Sequence, residues 1–288
     1  MKKYKAIFFD WDGTAVKSRR ASVEEVVVPM KALLAEGVKL AVISGTTIEN
    51  IGEGELHKRF SVEERRNLFY GLGRGAYNYR FDEKGEVELF CDKIPDKSGM
   101  LDIHRACFDV HEHLLDKYSF PTDIVFSRPN YCKIDLMVTN SRGDNLFLQE
   151  NELEALKSDL HRHGFVGGPA ELIALAKNMG KKYGISLSAT TDAKYLEVGV
   201  SSKSDNVDEL LGFFQTKYGI QAEDCAFWGD EYIGVDEGLF GSDSFMITEK
   251  TMDGDFFDVS DLKGIRPEQV IVTGGGVGRF LRFLEEQK

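Results

Sequence analysis

Two short, continuously apolar runs, Ala6-Ile7-Phe8-Phe9 and Leu40-Ala41-Val42-Ile43, flank a segment with helical spacing. No other feature of the chain limits its fold as much. Between them Val27, Met30, Leu33 and Leu34 recur at helical intervals within Val23 to Ala35, and Gly37 stops the run. Strand, helix and strand with short links make a βαβ unit. Strands that are apolar at every position suit a parallel sheet covered by helices on both faces. Ligands of such sheets bind at the carboxyl ends of the strands. Asp10, Asp12 and Ser44 all fall at such ends.

The middle of the chain has a different rhythm. Ala76 to Phe81 and Val87 to Phe90 flank Asp82-Glu83-Lys84-Gly85-Glu86, a hairpin pattern. Helices are expected over Asp102 to Tyr118, Leu148 to His161 and Glu171 to Tyr183. Strands are expected over Asp123 to Phe126, Lys133 to Thr139, Ile185 to Ala189 and Tyr195 to Val198. After this the βα alternation returns. A helix follows Lys203, Ala226-Phe227-Trp228 forms a strand ending at Gly229-Asp230, further strands lie near Phe245 to Ile247 and Val270 to Val272, and a last helix runs to Lys288. The expected fold is therefore α/β. A Rossmann-like parallel sheet core with helices on both faces is drawn from residues 1–80 and 199–288, with an inserted α+β domain over 81–198.

Composition narrows the partners. The 288 residues carry a formal net charge of −12, which opposes a nucleic-acid or anionic-membrane surface because both need a basic footprint. It leaves room for a small phosphorylated metabolite, since a few cations or a metal can reverse the field inside a pocket. The four cysteines are scattered without CxxC spacing and read as free thiols. The N-terminal apolar run is too brief for a signal peptide or a membrane span, so a cytoplasmic setting is expected. His111 with His113, and His161 with His163, are spaced two apart on expected helices and do not face each other, so no metal site is assigned there. Gly71 to Gly75 reads as a hinge, and Gly274 to Gly278 as a strand-to-helix turn near the site rim; neither fits a nucleotide-binding GxGxxG.

The chemistry concentrates in Phe8-Phe9-Asp10-Trp11-Asp12-Gly13-Thr14. Two carboxylates one residue apart leave a strand and enter a glycine turn whose backbone N–H groups can bind an anion. This segment resembles the first motif of the haloacid dehalogenase superfamily. Val42-Ile43-Ser44-Gly45 resembles its second motif and Lys203 its third. Phe227-Trp228-Gly229-Asp230-Glu231, with Asp236 following, is similar to its fourth. Taken alone, Ser44-Gly45 is an ordinary turn and a lysine is usually solvated. The four in family order, from Lys5 to Phe240, make the signal.

The resemblance implies a Mg²⁺-dependent phosphatase acting on a small phosphate monoester, with a sugar phosphate the favoured substrate. Asp10 would be the nucleophile, forming an aspartyl phosphate, and Asp12 the general acid and base. Ser44, Gly45 and Lys203 would bind the phosphate. Asp10, Asp12 and Asp230 would hold the metal with Asp236, for which Glu231 competes. The insert's place after the second motif resembles the large α/β caps of the Cof-type, sucrose-phosphatase, trehalose-phosphatase and phosphomannomutase branch. Arg128, Asn130 and Lys133 are its candidate substrate contacts. A phosphosugar mutase of the same branch, a nucleotidase or riboflavin-precursor phosphatase, and a non-catalytic phosphosugar-binding protein stay open as alternatives. The oligomeric state is not fixed by the sequence.

Overall fold

The structure, a computed structural model, describes residues 2–126, 128–140 and 148–288. The chain runs β1 (Ala6–Phe9), α1 (Glu24–Ala35), β2 (Lys39–Ile43), α2 (Val62–Arg65), β3 (Leu68–Leu72), β4 (Tyr77–Phe81), β5 (Val87–Asp92), α3 (Lys97–Tyr118), β6 (Asp123–Val125) and β7 (Tyr131–Asp135). It continues through α4 (Glu152–Arg162), α5 (Gly168–Lys181), β8 (Ser188–Thr191), β9 (Tyr195–Gly199), α6 (Lys203–Tyr218), β10 (Cys225–Gly229), β11 (Gly234–Asp236), β12 (Leu239–Phe240), β13 (Asp255–Asp258), β14 (Val270–Val272) and α7 (Gly276–Gln287).

The large sheet has eight strands in the order β14-β13-β10-β1-β2-β3-β4-β5. The pairings from β14 to β3 are parallel, and β4 and β5 add antiparallel at one edge. The apolar strands are apolar throughout because both faces are covered. Ile7, Phe9, Ala226 and Trp228 point into one core with Met30, Leu33 and Leu34 of α1 and Phe280 and Phe283 of α7. Ala6, Phe8, Cys225 and Phe227 point the other way, into a core with Val207, Leu210, Leu211 and Phe214 of α6. This is the two-residue strand period expressed on two buried faces. Aromatic rings reinforce the register: Phe227 stacks between Phe8 and Phe256, with centroids 4.8 Å away on each side. Burying such a ring contributes roughly 1.5–3 kcal/mol relative to leaving it exposed.

Three sequence expectations change here. The strand expected near Phe245 to Ile247 is a short 3₁₀ turn, Ser242–Met246. The sheet takes its strand from Asp255–Asp258 instead, where Phe256 and Phe257 serve opposite faces. Leu68–Leu72, whose last two residues are expected in the hinge, is a fully buried parallel strand. The Tyr77–Asp92 hairpin pairs with the large sheet through β3 rather than with the second sheet.

That second sheet has four antiparallel strands in the order β6-β7-β9-β8. One face packs on α3, α4 and α5 through Cys132, Ile134, Leu196, Val198, Val110, Leu160 and Leu172. The alternate residues point away from this core. Lys133 of β7, Glu197 of β9 and Thr190 of β8 lie in register across the sheet. They overhang the carboxyl ends of β1 and β2, and the space between becomes a cavity.

Candidate active site

At the end of β1 the Asp10 N–H donates to the Trp228 carbonyl at 2.9 Å, which fixes the strand end before the chain turns. The Ala15 and Val16 N–H groups both donate to the Trp11 carbonyl at 3.0 Å, so Trp11 to Val16 forms a tight loop. Gly13 has φ +91°, and a Cβ there would lie 2.2 Å from Asp230 Oδ2. Only glycine gives both this backbone and this close approach. Asp230 also accepts the Thr14 hydroxyl at 3.0 Å, so the first loop and the end of β10 are locked together.

Lys203 opens α6 and is buried. Its Nζ lies 2.6 Å from Asp10 Oδ1 and 2.6 Å from Asp243 Oδ1. The other Asp243 oxygen accepts the Asp230 and Glu231 N–H groups at 2.9 and 2.8 Å. Ser44 is buried at the end of β2, its N–H held by the Gly71 carbonyl at 2.9 Å. Asp12 Oδ2 accepts Arg19 Nη2 at 3.3 Å, while Asp12 Oδ1 is buried without a hydrogen-bond partner.

Acids crowd this site: Asp10, Asp12, Asp230, Glu231 and Asp243 lie close together, with Lys203 bonded to Asp10 and Asp243, and Arg19 to Asp12. Burial, and then Asp243 against the pull of Lys203, push the Asp10 carboxyl well above its ordinary range. Burial, Asp10 and Asp243 do the same to Asp230. Burial, with Asp192 and Asp243, lifts Glu231 to about 7. Burial disfavours the Lys203 ammonium, yet Asp10 and Asp243 overcome this and hold it protonated. An enclosed surplus of oxygen anions is the environment that a hard divalent cation relieves. Among the described residues no three His, Cys, Asp or Glu side chains form a ready cage. Mg²⁺ does not need one, because it usually keeps waters and takes one or two carboxylates plus substrate oxygens. The residues present fit such an ion.

Asp10, Asp12, Ser44, Gly45, Lys203 and Glu231 line one cavity of about 300 Å³. Asp230 borders a neighbouring cavity of about 480 Å³, together with Gly13 and Gly276 at the start of α7. The second sheet roofs the first cavity. Lys133 Nζ lies 2.7 Å from Glu197 Oε1, and Arg74 Nη1 lies 3.1 Å from Glu197 Oε2. The Tyr131 hydroxyl donates to the Gly45 carbonyl at 2.9 Å, joining the roof to the loop after β2. Arg128 and Lys133 line this cavity.

Two expected site residues lie elsewhere. Asp236 sits on the β11–β12 hairpin, where its Oδ2 accepts the Ala170 N–H at 3.0 Å in the first turn of α5. It satisfies a free helix donor, and Asp243 occupies the place beside Lys203 instead. Asn130 is wholly buried, and its Nδ2 donates to the Gly73 carbonyl at 2.8 Å and to Ser201 Oγ at 2.9 Å. It staples the two chain crossings between the sheets and does not face the cavity. Asp243, Arg74, Tyr131, Thr190 and Glu197 were not singled out from sequence. The only sequence cue for Asp243 is an acid between two serines after Gly241, which is indistinguishable from a turn. Among the described residues no helix is long and apolar enough to cross a membrane.

Neither a protein-family model nor a curated protein sequence matches the chain. Solved structures do. An IMP-bound IMP-nucleotidase of Plasmodium falciparum superposes with a TM-score of 0.64 at 14% identity, over 99% of this chain and 68% of that one. The sucrose-phosphatase of Synechocystis, solved with sucrose and phosphate, superposes with a TM-score of 0.53 at 11% identity, over 100% of this chain and 98% of that one. The α/β fold expected from the haloacid dehalogenase resemblance is the fold observed.

Proposed function

We propose that the chain is a Mg²⁺-dependent phosphohydrolase that cleaves a small phosphate monoester, in the first instance a sugar phosphate, through an aspartyl phosphate on Asp10. The observation that carries this is Lys203 bridging Asp10 and Asp243 at 2.6 Å each, in the cavity that also holds Ser44, Gly45 and Asp12. A buried carboxylate with a fixed cation at one oxygen keeps its other oxygen available to attack phosphorus.

In this reading Asp10 Oδ2 forms a bond to phosphorus as the bond to the leaving alkoxide breaks. Asp12, whose carboxyl is raised by burial against the pull of Arg19, gives the alkoxide its proton. Asp12 then takes a proton from water, the oxygen of that water attacks phosphorus, and Asp10 is released with inorganic phosphate. The Ser44 hydroxyl and Gly45 N–H hold non-bridging oxygens, and Lys203 balances their charge. Asp10, the Asp12 carbonyl and Asp230 would hold Mg²⁺, which would neutralise charge on the phosphoryl oxygens.

The second sheet with α3, α4 and α5 acts as the cap. Its Glu197, Thr190 and Asp192 offer acceptors and donors to sugar hydroxyls, and a cavity near 300 Å³ is at the small end of ligand sites. A nucleoside monophosphate is the second reading, favoured by the likeness to the IMP-bound structure. The four thiols and the acidic surface suit a cytoplasmic setting. Phosphate release from a panel of sugar phosphates, nucleoside monophosphates and p-nitrophenyl phosphate, with Mg²⁺ or EDTA, tests the reading. Mg²⁺-dependent release supports it, and no release from any compound removes it.

A further inference from the structure

Helix α3 buries Ile103, Ala106, Cys107, Val110 and Leu114 against the second sheet. The opposite, outward line of the same helix is Leu101, Arg105, Phe108, Glu112 and Leu115, all exposed. Phe108 is 50% and Leu115 48% exposed, and with Leu101 they put three large apolar side chains on one outward face. These positions follow the steps of four and three residues that keep side chains on one face of a helix. The patch widens at its first turn, where Phe126, itself 43% exposed, packs on His104 with centroids 4.8 Å apart.

The order of residue types along this line is a palindrome in shape with its charges inverted. Phe108 is at the centre, Leu101 and Leu115 stand seven residues to either side, and Arg105 and Glu112 flank the centre at three and four residues. Laid antiparallel on a copy of itself about a twofold axis at Phe108, the helix sets Leu101 against the partner's Leu115 and Phe108 against the partner's Phe108. Arg105 then meets the partner's Glu112 twice, within about one residue's rise of 1.5 Å. A parallel pairing would instead place Arg105 on Arg105 and Glu112 on Glu112, which is repulsive.

We propose that this face of α3 is a self-association surface, and that its occupant is α3 of a second copy of this chain, packed antiparallel. The leucine and phenylalanine side chains supply the burial. The reciprocal Arg105–Glu112 pairs set the direction. Three to four turns of helix per partner make a contact at the small end of specific interfaces, so the dimer is reversible on dilution. The Asp102–Arg105 pair at 2.8 Å lies on the exposed helix and yields readily to a partner carboxylate, since such pairs contribute little.

The test is sedimentation velocity of the full chain across a dilution series, for the wild type, Arg105→Glu, Glu112→Arg and the double variant. Both positions are exposed and distant from the core, so the fold persists, and far-UV circular dichroism confirms it. The wild type is expected to populate a dimer. Each single reversal should weaken dimerisation tenfold or more, and the double variant should recover it. A wild type that is monomeric throughout, a dimer indifferent to both single reversals, or a double variant no better than the singles would each overturn the proposal.

Discussion

Lys203 is bonded at 2.6 Å to Asp243, a carboxylate with no exposed surface that lies forty residues further along the chain. Asp243 is bound on every side, with Lys203 at one oxygen and the Asp230 and Glu231 N–H groups at the other. The approach is so close that a Cβ on Gly229 would lie 2.3 Å from Asp243 Oδ2. Asp243 is thereby the brace that holds Lys203 toward Asp10 and sets the loop carrying Asp230.

Asp243→Asn should therefore be severe. An amide must turn its NH₂ group toward either the Lys203 ammonium or the two backbone N–H groups, leaving donors facing donors. Stability should fall by roughly 1–3 kcal/mol. Turnover should fall about 10²-fold, the effect of misplacing catalytic groups by an ångström or so. Denaturant melts and steady-state kinetics on the same preparation check both.

Asp236→Ala should behave differently. Its carboxylate accepts one N–H at the start of α5, so its loss should remove about 1 kcal/mol of stability and leave kcat within a few-fold of wild type. If Asp236→Ala lost as much activity as Asp230→Ala, Asp236 would belong to the site after all.

The contrast between these two acids shows how far the sequence is legible. The Asp10 loop, Ser44, Lys203 and Asp230 could be located because each sits immediately at a strand end or helix start, where local pattern fixes position. Asp243 was hidden because a hairpin, Gly234 to Phe240, loops out and returns the chain to the site, and no local signal measures such a detour. Asn130 departs from its expected place because a polar residue in a cap turn can face either the cavity or the linkers, and only the tertiary structure decides which. The parallel core was readable from continuous apolar strands. β13 was not, because Asp255-Phe256-Phe257-Asp258 is too short and acid-flanked to resemble a buried strand.

Gly13→Ala should weaken the affinity for Mg²⁺ specifically. The added methyl meets Asp230 Oδ2 at 2.2 Å on a backbone with φ +91°. Strain of about 1–2 kcal/mol is expected, and Asp230 must move. The Mg²⁺ concentration needed for half-maximal activity should rise tenfold or more, read from a Mg²⁺ titration at saturating substrate.

The Glu197 ion cluster should leave a signature in acid. Burial alone would raise this carboxyl, but the Arg74 guanidinium and the Lys133 ammonium outweigh it and hold it down at about 2, from an ordinary 4.5. A depressed folded value means the stabilisation is fully present above 4.5 and is lost as pH falls through about 2. The stability difference between wild type and Glu197→Gln should be constant at neutral pH and shrink across that acid window. Chemical denaturation at a series of pH values would show it, and a difference independent of pH would contradict the assignment.

In the proposed reaction phosphorus becomes bonded to Asp10. Rapid acid quench during turnover, followed by peptide mass spectrometry, should find a phosphoryl adduct on Asp10 in the wild type. Asp10→Asn should show neither the adduct nor phosphate release. An Asp10→Asn protein that keeps wild-type turnover, or an adduct that maps to another residue, would rule out Asp10 as the nucleophile.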